Sequence, residues 1–148
     1  MQWLESKPVN VHQADAVLSQ ASPVSGTKYT VLDTTSDVRI HSIMAMVTWT
    51  VQPTPLEVHL TIDGNALTFT LANPVTATPY YANLTPGAAA TAQVLAIDSI
   101  TTIARAFLLE GRSVKIEVET TGGTVSNLTC RVVYGRYEGR QKETSANT

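Results

Sequence analysis

The sequence predicts an all-β chain, built as two sheets packed face to face, on three observations. Apolar and polar residues alternate with a period of two over most of its length. Turn-forming residues separate the alternating runs, and no stretch carries a long apolar stripe at helical spacing. Threonine and valine, which fit a pleated, half-buried surface better than a helix, recur throughout.

The bulk properties bound the answer. A chain of 148 residues is one domain by length, and a domain of this size buries roughly 68–70% of its unfolded surface. At 43% hydrophobic and 15% charged, the composition is globular. The formal charge is −2 with no basic block, so the chain lacks the means to grip nucleic-acid phosphates. An anionic membrane surface would attract it no better. The single cysteine, Cys130, alternates with Leu128 and Val132 and reads as a small core residue. Alone, it can form no internal disulfide. No apolar run approaches the ~20 residues of a membrane span, and MQWLESKPVN lacks the apolar centre of a signal peptide. The triplets at Asn83 and Asn127 that fit a glycosylation acceptor are then expected to be chance matches.

Residues 1–26 read as an N-terminal arm. Pro8 and Pro23 interrupt them, and apolar residues are sparse. The spacing of Val11, Ala14 and Leu18 suits one face of a short helix, too short to be stable alone. Such an arm docks on its own domain or on a neighbouring subunit. The sandwich proper is expected over 27–138. Lys28–Leu32 is a short strand, ended by the polar turn at 33–37. Val38–Val51 is the longest strand: Ile43, Ala45, Val47, Trp49 and Val51 share one face, and Val38, Ile40, Met44 and Met46 the other. A strand apolar on both faces is covered on both. Gln52-Pro53-Thr54-Pro55 ends it, because proline cannot donate to a ladder.

The stretch LEVHLTIDGNALTFTL is a hairpin about Asp63-Gly64. A two-residue turn there pairs Leu60 with Leu67, Val58 with Phe69 and Leu56 with Leu71, with all of them on one face. Residues 72–92 form a long irregular connection containing Tyr80-Tyr81. Residues 93–97 and 101–109 are apolar, the latter readable as strand or short helix. A second hairpin is expected from Val114, Ile116 and Val118 to Leu128, Cys130 and Val132, turning at Gly122-Gly123-Thr124 and setting Ile116 against Cys130 and Lys115 against Arg131. Residues 139–148 are a flexible polar tail. About eight short strands in this arrangement indicate a two-sheet sandwich of jelly-roll type, with an immunoglobulin-like sandwich second.

Chemistry is sparse in this pattern. If the Gln52–Pro55 connection joins neighbouring strands, His59 falls near Thr48, away from His41 and His12, so no metal is expected: zinc needs three or four convergent ligands. Asp63-Gly64-Asn65 lacks the spaced oxygens of a calcium loop. The serines have no nucleophile elbow, and Glu117 and Glu119 alternate outward as a solvated face. The chain therefore reads as non-enzymatic, with no cofactor. Binding is better supported. Tyr80 and Tyr81, adjacent in a long loop, are candidates for contact with a ligand or partner, by stacking on a sugar ring or anchoring a protein. Val38, Ile40, Met44 and Met46, with Trp3 and Leu4 of the arm, are candidates for a subunit interface.

An arm followed by threonine-rich strands such as SGTKYTVLD, VTWTVQPTPLEVHLTIDG and RAFLLEGRSVKIEVETTGG resembles the small jelly-roll decoration (cement) proteins and related structural proteins of tailed bacteriophage virions. The resemblance covers roughly residues 1–138 in layout and carries over no individual functional residue. It implies a virion component assembled in the host cytoplasm, self-associating as a homotrimer and bound to the major capsid protein or another virion protein. The alternative is a carbohydrate- or receptor-binding module of a phage tail or fibre.

Overall fold

The computed structural model describes residues 10–82, 94–97 and 110–138. These residues form ten strands and, among the described residues, no helix. In chain order the strands are β1 (Asn10–Ala21), β2 (Tyr29–Thr34), β3 (Val38–Val51), β4 (Leu56–Ile62), β5 (Asn65–Leu71), β6 (Tyr80–Ala82), β7 (Val94–Ile97), β8 (Glu110–Gly111), β9 (Val114–Thr120) and β10 (Thr124–Glu138).

Their pairings nest. The β4–β5 hairpin lies innermost, β3 with β6 encloses it, β2 with β9 encloses those, and β1 with β10 is outermost. The chain is thus one long antiparallel ribbon whose tip is Asp63-Gly64. Rolling it up adds two further pairings, β3 with β10 and β4 with β9. The result is two sheets, β1-β10-β3-β6 and β2-β9-β4-β5, linked along one side by β7, which pairs with both β5 and β6. This is the order of a jelly roll, and the all-β sandwich fold stands.

The core is a set of cross-strand rows on the facing sides. Leu32, Ile116, Leu60 and Leu67 form one row, and Tyr29, Val118, Val58 and Phe69 the next. The other sheet contributes Leu18, Cys130, Ala45 and Tyr80 in a single row. All but Tyr29 and Leu18 are buried, and those two are half-buried against the rest. Period-two alternation on every strand makes these rows possible, since paired residues in a sheet point to the same side.

The tip hairpin has the expected register, with Leu60 opposite Leu67, Val58 opposite Phe69 and Leu56 opposite Leu71. Asp63 and Gly64 both adopt left-handed backbone (φ 49° and 83°), as a tight hairpin turn with the twist of its strands requires. Asp63 is also an anchor. Its Oδ1 accepts hydrogen bonds from the backbone N–H groups of Arg112 (3.0 Å) and Ser113 (2.9 Å), holding the β8–β9 turn over the tip.

Four expectations are corrected. First, Asn10–Ala21 is not helical, and of the two docking places expected for the arm this part of it takes its own domain. It is a full edge strand, paired with β10 from Asn10 opposite Glu138 to Ala21 opposite Asn127. Its Ala14, Ala16 and Leu18 turn inward and Gln13, Asp15 and Val17 outward, an alternation that the helical reading of Val11, Ala14 and Leu18 overlooked. Residues 1–9, with Trp3 and Leu4, lie outside the described residues, as do 101–109 and 139–148.

Second, β9 and β10 do not form a hairpin. β9 belongs to one sheet and β10 to the other, so Ile116 faces Leu32 and Leu60 rather than Cys130, and Lys115 is not opposite Arg131. Gly122 and Gly123 turn the chain between layers, both with positive φ (71° and 68°). A Cβ on Gly123 would lie 2.4 Å from the Val51 carbonyl oxygen, so the corner closes only because that side chain is absent. Third, β3 and β4 likewise sit in different sheets, and His59 lies beside β9 rather than Thr48.

Fourth, β3 changes face along its length. Tyr134 pairs with Ile40 while the preceding residue, Val133, pairs with Ser42, leaving His41 as the extra residue of a β-bulge. Val38 and Ile40 therefore turn into the same core as Ile43, Ala45 and Val47, with only 1% and 3% of their surface exposed. Burial of two such side chains stabilises by about 1.5–3 kcal/mol each, against roughly 1 kcal/mol for a ladder hydrogen bond lost at the bulge.

Ile116→Asp places an uncompensated carboxylate at the centre of a core row and should destabilise the domain by on the order of 3–5 kcal/mol, whereas Lys115→Asp, on the exposed side, should cost little. Thermal melts of the two variants check the parity directly. Burial pushes the Cys130 thiol up to about 12. The native protein should accordingly resist thiol labelling at pH 8 and react fully in denaturant, which a colorimetric thiol assay reads.

Candidate interaction surface

The outer side of the β1-β10-β3-β6 sheet carries the remaining sequence candidates. Val17 pairs with Arg131, Arg131 with Met44, and Met44 with Tyr81, so a single row crosses all four strands on the side away from the core. The next row on one side runs Ser19, Thr129 and Met46; on the other it runs Asp15, Val133 and Ser42. Val17 is 62% exposed and Tyr81 50%. Met44, Met46 and Val133 are half-buried. The result is a band in which Val17, Met44, Met46, Val133 and Tyr81 are interleaved with Ser19, Ser42, Thr129 and the charged Asp15 and Arg131, and its unbranched methionine side chains adapt to an irregular partner.

Charge enters this band at one place. The Arg131 guanidinium is bonded to the Asp15 carboxylate on the adjacent strand. Side-chain exposures of 52% and 39% keep this pair in solvent contact, where an ion pair adds little stability but fixes the orientation of its long side chain. Pairing with Asp15 draws the guanidinium toward β1, beside Val17.

The two tyrosines part company. Tyr80 is 2% exposed and belongs to the core; its hydroxyl accepts a hydrogen bond from the Val75 N–H at 2.9 Å. Tyr81, its neighbour on a strand, necessarily points the other way, onto the outer band. Tyr80 is therefore withdrawn as a contact candidate, since a ring buried in the core beside Ala45 cannot meet a partner. Val38 and Ile40 are withdrawn as interface candidates for the same reason. Met44, Met46 and Tyr81 share one face, and Val17, which sequence reading did not single out, joins them. The signal for Val17 was present in the alternation of β1, masked by the helical spacing.

Trp49 has a structural task. Its indole N–H donates to the Pro74 carbonyl (2.9 Å), and its backbone N–H donates to Thr76 Oγ1 (3.0 Å). Together with the Tyr80 hydroxyl, these bonds hold the connection from β5 to β6 against the end of β3.

Fold and face together define a jelly-roll sandwich with this band on the outside of one sheet. No family model matches the chain, and no curated protein matches it. Among solved structures it is similar to particles of infectious bursal disease virus: the Gx strain (13% identity over 91% of this chain, TM-score 0.40), virus-derived T=1 particles (13% over 90%, TM-score 0.39) and the VP2 subviral particle (13% over 93%, TM-score 0.37). The chain spans about a third of the length of these proteins, 34%, 33% and 34% respectively.

Tyr80→Ala should destabilise the domain by about 3–5 kcal/mol, the cost of emptying a buried aromatic site, and Tyr81→Ala by under about 1 kcal/mol. Denaturant titrations of the two single variants measure the difference.

Proposed function

We propose that the chain is a non-enzymatic structural protein of a virion, a capsid decoration (cement) protein that self-associates and binds the particle surface through the outer band of the β1-β10-β3-β6 sheet. The observation that supports this reading is the row Val17–Arg131–Met44–Tyr81 with Met46 and Val133 beside it. The opposite side of that sheet is already the core, so the described strands of the domain have no second apolar surface to lay over the band. Apolar side chains grouped on an outer face and rimmed by polar ones invite another protein. At the end of the sheet, β1 has a partner on one side only among the described strands. Strand addition along its outer backbone groups, beside Val17, is the second mode of contact in this reading.

A second copy is the occupant proposed for the band, in a closed homotrimer, as the resemblance to phage decoration proteins implies. The major capsid protein is the partner proposed for the particle. A closed ring satisfies the face on every subunit at once, which an open chain of contacts does not.

The test is sedimentation of the wild type beside the double variant Met44→Glu, Met46→Glu. Self-association predicts an oligomer for the wild type and a folded monomer for the variant, because two buried, unpaired carboxylates at a seam cost more than an apolar contact returns. A wild type that stays monomeric across the concentration range, or a double variant that loses its fold, would remove the seam. Glycan-array binding by monomeric wild type, lost in Tyr81→Ala, would favour the receptor-binding alternative.

A further inference from the structure

The outside of the other sheet is polar, and one part of it is unusual. Glu57 on β4 lies directly opposite Glu119 on β9, two carboxylates facing each other across an antiparallel pair. Like charges in that relation repel. His59, two residues along β4 on the same side, approaches Glu119 with its Nε2 2.8 Å from Oε1. One donor atom from each of Glu57, His59 and Glu119 lies within 4.8 Å of the other two. The site is sheltered: the side chains of His59 and Glu119 are 18% and 14% exposed, and Glu57 is half-buried.

The histidine explains only half of this cluster. It provides a partner for Glu119, but no hydrogen bond or ion pair reaches the Glu57 carboxylate from the described residues. Beside Glu57, across the β4–β5 pair, the hydroxyl of Thr70 is buried without a hydrogen-bond partner. The buried Thr70 hydroxyl forgoes a hydrogen bond that it would have in water, and Glu57, which keeps contact with solvent, faces Glu119 with no neighbouring cation among the described residues. A histidine–glutamate pair alone accounts neither for the facing carboxylates nor for the orphaned hydroxyl.

We propose that Glu57, His59 and Glu119 form a three-ligand site for a zinc-class divalent cation. The cation neutralises the facing carboxylates, and its coordination sphere brings a water molecule within reach of Thr70. The set of one imidazole nitrogen and two carboxylates suits zinc and its first-row neighbours; calcium takes oxygen ligands in larger number. In a zinc tetrahedron, donors bonded at about 2.0–2.1 Å stand about 3.3 Å apart. The His59–Glu119 separation has only to widen slightly, and Glu57 has only to swing inward. On the far side of the ring, Nδ1 lies 3.4 Å from Thr68 Oγ1. Donating Nδ1–H there leaves the Nε2 lone pair aimed at the carboxylates, the tautomer a metal requires. The expectation that no metal binds assumed β4 beside β3; the neighbour is β9, which brings Glu119.

The experiment uses the full chain, washed with chelator. Zinc is titrated by calorimetry, and by nitrogen-detected NMR on protein labelled at histidine. One ion per chain is expected, with the His59 Nε2 resonance shifting while His12 and His41 stay in place. Glu119→Gln and Glu57→Gln should each weaken binding at least tenfold, and excess calcium should not displace the zinc. The NMR readout needs no variant, so it stands even where a substitution disturbs folding. Absence of saturable binding, a shift at His12 or His41 instead of His59, affinity unchanged in both folded variants, or displacement by calcium would each overturn the site.

Discussion

The sandwich depends on a corner at which three connections turn from one sheet to the other together. The β3–β4 and β9–β10 connections are bonded to each other there: Thr54 N–H donates to the Thr121 carbonyl (2.7 Å), and Thr121 N–H to that of Pro55 (3.2 Å). The β1–β2 connection joins them through Gly26 N–H to the Thr120 carbonyl (2.9 Å), and Gly122 N–H donates to Ser25 Oγ (2.8 Å). Without this corner the chain remains a long two-stranded ribbon, with one apolar side and nothing to cover it. With it, the ribbon folds over onto itself, β3 meets β10 and β4 meets β9, and the two apolar sides become a single interior.

Both surfaces of interest follow from that roll. Closing the ribbon puts every inward row beyond reach of a partner and leaves two outer faces of opposite character. One bears Val17, Met44, Met46 and Tyr81, and supports the proposed association. The other bears Glu57, His59 and Glu119, which come together because the roll sets β4 against β9. The His41 bulge sharpens the division by drawing Val38 and Ile40 inward, so the outer band begins only at Met44 and is narrower than β3 alone suggests.

Parity was legible wherever a strand alternates without interruption. The tip hairpin was readable to the residue, because Asp63-Gly64 sets the turn and a slipped register keeps the same face. The outward positions of Met44 and Met46 and the burial of Cys130 and Ile116 were readable for the same reason. Tyr80 and Tyr81 were not separable while they stood in a long loop without an assigned strand; once β6 pairs with β3, adjacent residues must diverge. β1 was read with the wrong period, since small residues such as Ala14 and Ala16 weigh little in either pattern. Its true partner, β10, lies over a hundred positions away.

By itself the sequence determined the class of structure, most of the strands and which side of each is apolar, because these depend on neighbours one and two residues apart. Which strand lies beside which was decided only by the tertiary structure. The glycines at 122 and 123 permit a hairpin or a layer-crossing corner equally, and the choice rests on whether Ile116 gains more from Leu32 and Leu60 than from Cys130. That comparison involves residues from three distant segments and the closure of the whole roll. The same holds for the extra residue at His41, whose cost is local and whose compensation, the burial of Val38 and Ile40, exists only once the second sheet is in place.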